Sequence, residues 1–378
     1  MKSDDTKFPF QVPDGRFDQK FEMFKRARWD EAIAGWARSS RDAIVFEESP
    51  GLRQRDFALR NAAWNIEFEY GRGNSMSNSG LYSWSHVSDK TQPFIDAGRP
   101  VTGTPVENAS CVKQAARFLG ADLVGICYAH PNLVYSHEYN IISQAHYPLD
   151  LPEDHVNAVV LAIAMDYTAM RHSPNAVAGA ATGFGYSKMA STANMVATFI
   201  RGLGYEAVPS GNDTALSVPL AAAAGLGEVG RLGLLVTEKY GPRVRICKVF
   251  TNMPLAHDEY RPFGVTEFCR VCMKCARHCP SNAVSSSEPT TSGWNISNHS
   301  GPRKWYVDAE KCYRFWAKNR MDCTNCINVC PFNKPSGLLH DGVRALIKHQ
   351  PVFNRMVVRL DDVLGYGKPM HRKEYWEA

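Results

Sequence analysis

The chain has 378 residues, of which 44% are apolar and 21% charged, with a formal net charge of +5. This composition supplies a real hydrophobic core and bounds the chain to two or three domains. The charge is mixed, with no Lys/Arg block dense enough for a nucleic-acid-binding arm, and no apolar run reaches the roughly 18 residues of a membrane-spanning helix.

The N-terminus, Met1-Lys-Ser-Asp-Asp-Thr-Lys-Phe, is charged and lacks the apolar stretch of a signal peptide. A cytoplasmic location is therefore expected. The alternative is twin-arginine export with the signal removed, followed by membrane association. Phe17, Phe21, Phe24, Trp29, Ile33 and Trp36 recur near helical spacing and predict one amphipathic helix over 16–40. Residues 71–105, rich in Gly, Ser, Asn and Pro, read as an irregular wrap. Together, 1–105 form an aromatic-rich segment wrapped around the core.

From 106 to 260 the pattern alternates. Helices are expected over 108–119, 187–203 and 216–225, and strands over 121–127, within 155–165, and over 205–209, 232–236 and 244–250. Gly204 is the expected C-cap of the second helix. The alternation predicts a mixed α/β layer domain. A cysteine-rich domain follows over 261–340. The tail, 341–378, carries a helix over 342–349 and is expected to pack on the core.

Two glycine motifs fall in the α/β region. Gly225-Leu-Gly227-Glu-Val-Gly230 matches the dinucleotide fingerprint, but a helical stretch precedes it and a strand follows, the reverse of the required context. It is expected to be a tight turn where backbone approaches a flat ligand or a neighbouring strand. Thr182-Gly-Phe-Gly-Tyr186 is placed just before the 187–203 helix. There its N–H groups would meet a ligand, or it would form a simple turn with a core tyrosine. His155, in a loop entering a strand, is expected at the surface.

Eight of the eleven cysteines lie between Cys269 and Cys330. The first run is Cys269-x2-Cys272-x2-Cys275-x3-Cys279-Pro280, the bacterial ferredoxin spacing in which the fourth cysteine serves the other of two clusters. The second is Cys323-x2-Cys326-x3-Cys330-Pro331. Arg320 stands where a plain ferredoxin has its first cysteine, and Cys312 is the nearby substitute. This assigns Cys269, Cys272, Cys275 and Cys330 to one [4Fe-4S] cluster and Cys279, Cys312, Cys323 and Cys326 to the other. Structural zinc would use different spacings, and disulfides suit short secreted chains. Cys111, Cys127 and Cys247 are left over and are expected to be small buried apolar groups.

The surroundings of these runs resemble the corrinoid-dependent reductive dehalogenases. The resemblance is carried by Thr266-Glu-Phe-Cys-Arg-Val-Cys, Lys304-Trp-Tyr-Val-Asp-Ala-Glu-Lys-Cys312-Tyr-Arg-Phe-Trp316 and Asp322-Cys-Thr-Asn-Cys. It extends to Gly183-Phe-Gly-Tyr186, Tyr240-Gly-Pro-Arg-Val-Arg245 and Leu364-Gly-Tyr-Gly-Lys, and covers about 105–370. It implies an α+β chain: a nitroreductase-like α/β core binding base-off cobalamin, beside a ferredoxin-like domain with two [4Fe-4S] clusters. The Asp-x-His-x-x-Gly pattern that places a histidine under cobalt is absent, in keeping with base-off binding.

The resemblance implies Tyr186 as proton donor and Arg245 as its cationic partner, with Asn212 a pocket-lining position counted among the catalytic residues. Thr182 is implied as a pocket and cofactor contact, Trp316 as a substrate wall and Trp36 as a second wall. Gly225, Gly227 and Gly230 become candidate cofactor contacts. The implied substrate is an organohalide and the implied partner an external low-potential donor: ferredoxin, flavodoxin or a membrane redox chain. No nucleic-acid partner is expected, and a homodimer is left open. Two rival readings stand beside this one. An epoxyqueuosine reductase also combines cobalamin, two clusters and an Ala-Gly-Leu-Gly segment. A non-catalytic iron–sulfur carrier would hold iron but no cobalt.

Overall fold

The computed structural model describes residues 8, 10–39, 46–71, 80–85, 88–335, 337–368 and 375–377. The N-terminal part is helical: α1 (Met23–Trp29), α2 (Glu31–Ser39), α3 (Gln54–Ile66) and α4 (Gln92–Ala97). The single helix expected over 16–40 is broken at Asp30, whose backbone is extended (φ −80°, ψ 109°). Its carboxylate accepts the Ala32 N–H at 3.1 Å and pairs with Arg26 at 2.6 Å. Two helices sharing an apolar face have the same spacing as one long helix, and the capping aspartate decides between them. The segment contacts both later parts of the chain: Asn132 Nδ2 donates to the Pro13 carbonyl at 2.7 Å, and Arg26 bridges Glu310 at 2.8 Å.

The core follows as α5 (Pro105–Phe118), β1 (Leu123–Tyr128), the hairpin β2 (His137–Tyr139) and β3 (His146–Pro148), and β4 (Asn157–Ala164). It continues through α6 (Tyr167–Met170), α7 (Ala176–Gly202), β5 (Ala207–Ser210) and α8 (Ser217–Ala223) to β6 (Glu228–Val229), β7 (Leu235–Val236) and β8 (Val244–Thr251). The main sheet has the order β1-β4-β8-β5, and each neighbouring pair is antiparallel. The strand expected over 232–236 shortens to its last two residues. Helices cover both faces of this sheet, so β4 reads as a continuous apolar run rather than an alternating one. Val159, Leu161 and Ile163 pack with Met189, Ala193 and Ile200 of α7, while Ala158, Val160 and Ala162 join Leu220 and Phe250 on the other side.

The largest departure from expectation is α7. It runs for 27 residues and takes in Thr182–Tyr186, so this stretch is helix rather than a turn with free N–H groups. Asn175 caps it, accepting from the Val177 and Ala178 N–H groups at 3.0 and 3.4 Å. A glycine inside a helix costs about 1 kcal/mol relative to alanine. Here the glycines admit neighbours: a Cβ at Gly183 would strike the Trp64 ring, and one at Gly185 would lie 2.9 Å from Arg245 Cγ. The glycines that suggest a loop therefore serve packing.

The cysteine-rich part comprises α9 (Val265–Cys272), α10 (Lys274–Arg277), α11 (Ala309–Asn319) and α12 (Asn325–Asn328), and the tail α13 (Leu338–His349) and α14 (Asn354–Val363). The tail packs chiefly on the cysteine-rich part. Asp361 is buried between Lys274 and Lys334, the latter at 2.8 Å. It also reaches the rest of the chain: Arg344 Nη2 donates to the Lys239 carbonyl at 3.4 Å, Lys348 pairs with Glu238 at 3.6 Å, and Trp376 Nε1 donates to Asp56 Oδ1 at 2.8 Å. Two smaller expectations are also corrected. His155 is buried and bonded to Asp154 at 2.9 Å, and Cys111 is exposed on the outer face of α5, whereas Cys127 and Cys247 are buried.

Candidate active site

None of the eleven cysteines is in a disulfide. Eight of them converge as two sets of four. Cys330 is within electrostatic reach of Cys269, Cys272 and Cys275, and Cys326 of Cys323, Cys312 and Cys279. These are the sets assigned from spacing. Cys275 also feels Cys326, so the two sets adjoin. Burial pushes the thiols of Cys269 and Cys312 up to about 12 and those of Cys272 and Cys323 up to about 11. Cys279 departs from this pattern: burial opposes ionisation, but hydrogen bonds from Ser281 and the N–H groups of Ala283 and Val284 outweigh it and lower its pKa. Thiols gathered and buried in this way become thiolates only opposite compensating positive charge, which is what an iron–sulfur cube supplies.

Between α3, the start of α7, β8 and α11 lies a cavity of about 1240 Å³. That exceeds the roughly 300–1,000 Å³ of ordinary small-molecule sites. Thr182 and Tyr186 enter it from α7, Arg245 from β8 and Trp316 from α11. The Arg245 guanidinium sits 4.8 Å from the centroid of the Tyr186 ring, and its Nη2 donates to Thr182 Oγ1 at 3.3 Å. Asn212, on the loop between β5 and α8, donates from Nδ2 to Tyr186 Oη at 3.0 Å. Tyr186, Arg245 and Thr182 therefore meet at the cavity and Trp316 closes it, whereas Asn212, expected to line the pocket, is not among its lining residues and reaches Tyr186 from its loop.

Trp316 stands one helical turn after Cys312 on α11, and Asp322, another lining residue, precedes Cys323. The set containing Cys312 and Cys323 thus borders the cavity. Gly225, Gly227 and Gly230 do not line it. A Cβ on Gly227 would meet the Val236 carbonyl, and one on Gly225 would come within 2.5 Å of the Glu259 carbonyl, so the motif is a turn pressed against neighbouring backbone. Trp36 lies on α2, and its side chain is outside the described residues.

Sequence reasoning missed Trp64. Its ring stacks on Tyr186 (centroids 5.1 Å apart, 22° between planes) and on Phe68 (4.9 Å, 14°), and its Nε1 donates to the Gly179 carbonyl at 3.1 Å. The signal was present: Phe57, Trp64 and Phe68, all lining the cavity, fall at helical spacings.

Four residues that line the cavity each keep one buried donor with no hydrogen-bond partner: Arg60 Nε, Asn175 Nδ2, Arg245 Nε and Trp316 Nε1. An unpaired buried donor costs about 1–3 kcal/mol. These atoms are closed to solvent, so the fit to a corrinoid rests on the size of the cavity and on the polar side chains of Arg60, Asn175, Thr182 and Arg245 that line it.

Two adjoining four-cysteine cages, one of them bordering such a cavity, define an iron–sulfur oxidoreductase. A family model described as a 4Fe-4S dicluster domain matches residues 268–334. The tetrachloroethene reductive dehalogenase of Sulfurospirillum multivorans is 37% identical over 357 residues, covering 85% of this chain and 70% of that one. A solved reductive dehalogenase, reported as suggesting a mechanism for B12-dependent dehalogenation, superposes with a TM-score of 0.74 at 23% identity over 97% of this chain. The chain spans about half (49%) of that protein's length. An epoxyqueuosine reductase of Lactococcus garvieae is 32% identical over 120 residues, 32% of this chain. The chain belongs to the corrinoid-dependent reductive dehalogenase family.

Proposed function

We propose that this chain replaces a carbon–halogen bond of an organohalide by a carbon–hydrogen bond, consuming two electrons and one proton and releasing halide. The observation that carries the reading is the Tyr186 hydroxyl, held at the cavity wall with its oxygen already accepting from Asn212. A hydroxyl has one proton and two acceptor sites. The amide occupies an acceptor site, so the tyrosine proton is left to point at a substrate. When it leaves, the phenolate is stabilised by the same amide and by the Arg245 guanidinium, which stays charged when buried.

A base-off cobalamin in the cavity, held among the lining residues Arg60, Asn175 and Trp316, would supply the low-potential metal chemistry that cleaves the carbon–halogen bond. We read the antiparallel sheet with α7 as the nitroreductase-like core carrying it. Electrons would pass from the Cys269/Cys272/Cys275/Cys330 cluster to the Cys279/Cys312/Cys323/Cys326 cluster, because the second borders the cavity. Trp316, Trp64 and Phe57 exclude water and suit an apolar organohalide. Trp36 is proposed as a further wall.

The reading requires an external low-potential donor such as ferredoxin, flavodoxin or a membrane redox chain. No helix among the described residues is long and apolar enough to cross a membrane. We propose a cytoplasmic location, to be checked by fractionation against membrane association, and a homodimer, to be checked by light scattering.

The test is anaerobic reconstitution with iron, sulfide and cobalamin, followed by halide-release assays with haloalkenes, haloaromatics, haloalkanes and fluorinated acids. Cobalt binding with halide release from at least one class is expected. Bound iron with no uptake of any corrinoid would contradict the reading and favour a plain electron carrier. Reduction of epoxyqueuosine-containing tRNA without halide release would favour the other enzyme.

A further inference from the structure

Away from the cavity, three side chains from separate segments converge. Asp18 lies in the N-terminal wrap, just before the turn Gln19–Phe21, while His137 opens β2 and His146 opens β3. In the hairpin register His137 pairs with Pro148 and Tyr139 with His146, so the two imidazoles are diagonal neighbours. Their ring centroids are 4.8 Å apart. Asp18 Oδ2 is 3.0 Å from His146 Nε2 and 3.9 Å from His137 Nδ1. One nitrogen from each ring and one carboxylate oxygen lie within 4.8 Å of one another.

We propose that Asp18, His137 and His146 form a site for a divalent transition metal of the zinc class, which staples the N-terminal wrap to the β2–β3 hairpin. Zinc binds His nitrogen and carboxylate oxygen at about 2.0–2.2 Å in a tetrahedron, which sets ligand atoms roughly 3.3–3.5 Å apart. The two separations from Asp18, 3.0 and 3.9 Å, lie on either side of that value, and the two ring nitrogens lie within 4.8 Å, so the rings need only close on the carboxylate to seat the ion. Two imidazoles and one carboxylate are a donor set suited to zinc, with a fourth position for water.

The carboxylate is held in place independently. Asp18 Oδ1 accepts the Lys20 N–H at 2.8 Å, the kind of outer contact that orients a metal-binding group. The side chains keep 19%, 39% and 32% exposure at Asp18, His137 and His146, which leaves a solvent route for the ion. The proposed ligand atoms bond one another or a neighbour, His146 Nε2 with both Asp18 oxygens at 3.1 and 3.0 Å and His137 Nδ1 with Ser136 Oγ at 3.1 Å, and the ion would replace these contacts. The staple would act where the wrap already docks, since Lys25 Nζ donates to the Tyr139 carbonyl at 2.8 Å. Phe24 and Arg28 of that wrap line the cavity, so the ion would fix one of its walls.

The test uses the anaerobic holoprotein with both clusters and corrinoid loaded, so that the cluster cysteines are occupied. It is equilibrated with zinc, desalted over a weak chelator and analysed for metals. The wild type is expected to retain about one zinc per chain more than Asp18→Asn or His146→Gln. Iron and cobalt should be equal in all three, which reports intact folding. Asp18→Asn keeps an oxygen for the Lys20 N–H. His155→Gln, altering the other imidazole–carboxylate cluster (Asp154, His155, Glu206), should retain the zinc. Zinc should also raise the melting temperature of the wild type and not of the first two variants. Equal zinc in the wild type and both site variants, or loss only on His155→Gln, overturns the proposal.

Discussion

Asn212 donates a hydrogen bond from its amide nitrogen to the phenolic oxygen of Tyr186 at 3.0 Å. The direction of this bond matters more than its strength. Asn212→Ala removes one hydrogen bond, worth about 1 kcal/mol, and should slow turnover roughly tenfold or less. Asn212→Asp is nearly the same size but offers an acceptor, which draws the tyrosine proton away from the substrate. Steady-state halide release should therefore be slower for Asn212→Asp than for Asn212→Ala. The opposite order would contradict the assigned donor.

Gly183 and Trp64 give a second prediction. Gly183→Ala gains about 1 kcal/mol in helix propensity but drives a methyl into the indole. Overpacking costs about 1–3 kcal/mol, so the variant should melt lower and turn over more slowly at unchanged iron content. Combining it with Trp64→Ala should recover part of the stability while activity stays low, because the stack on Tyr186 is gone. Additive losses in melting temperature would show that the two residues are not coupled.

Lys248 supplies a pH dependence. It is fully buried on β8, donates to the Gly211 and Ala215 carbonyls and the Ser217 hydroxyl, and so fixes the loop that presents Asn212. Burial lowers its pKa from 10.5 to about 8, opposed by the nearby Asp213. Below pH 8 the amine is charged in both folded and unfolded chains, and the cost of burying that charge is fully present. Between about 8 and 10.5 the unfolded chain keeps the proton that the folded chain has lost, so this group's contribution to stability rises with pH, by at most about 1.4 kcal/mol per unit. The melting temperature of the anaerobic wild type relative to Lys248→Met should therefore increase across that window. A flat or falling difference would contradict the assignment.

The division of the cysteines can be read from iron content. Cys330→Ala should remove about four of eight irons and one paramagnetic signal, leaving the cluster beside Trp316 intact. Cys312→Ala should remove the other signal. Loss of both signals in either variant would mean that the cages form only together.

Much of this arrangement was legible in the sequence because ligand spacing is a local property. Two-residue gaps and the Cys-Pro endings sorted seven cysteines, and Cys312 joined them as the nearby substitute for Arg320, which gives the sets that the fold brings together. Tyr186, Arg245, Thr182, Asn212 and Trp316 came from motif likeness, and they meet although they are drawn from α7, β8, a loop and α11. Trp64 lay outside the stretch covered by that likeness, and only the packing of α3 on α7 shows that it touches Tyr186. The glycines of α7 misled for a related reason: Gly183 and Gly185 break helices in isolation, and the ring and side chain that require them come from distant parts of the chain. The break at Asp30 was hidden because apolar spacing reports a buried face and not its interruptions.

The central claim is that the Tyr186 hydroxyl delivers the proton that replaces the halogen. The most direct measurement is the single-turnover rate of halide release by anaerobically reconstituted Tyr186→Phe beside the wild type, with iron and cobalt counted in both. General acid catalysis is worth about 100- to 10,000-fold. The account predicts a loss of about 100-fold or more at unchanged cofactor content. A Tyr186→Phe protein that releases halide at the wild-type rate would contradict it.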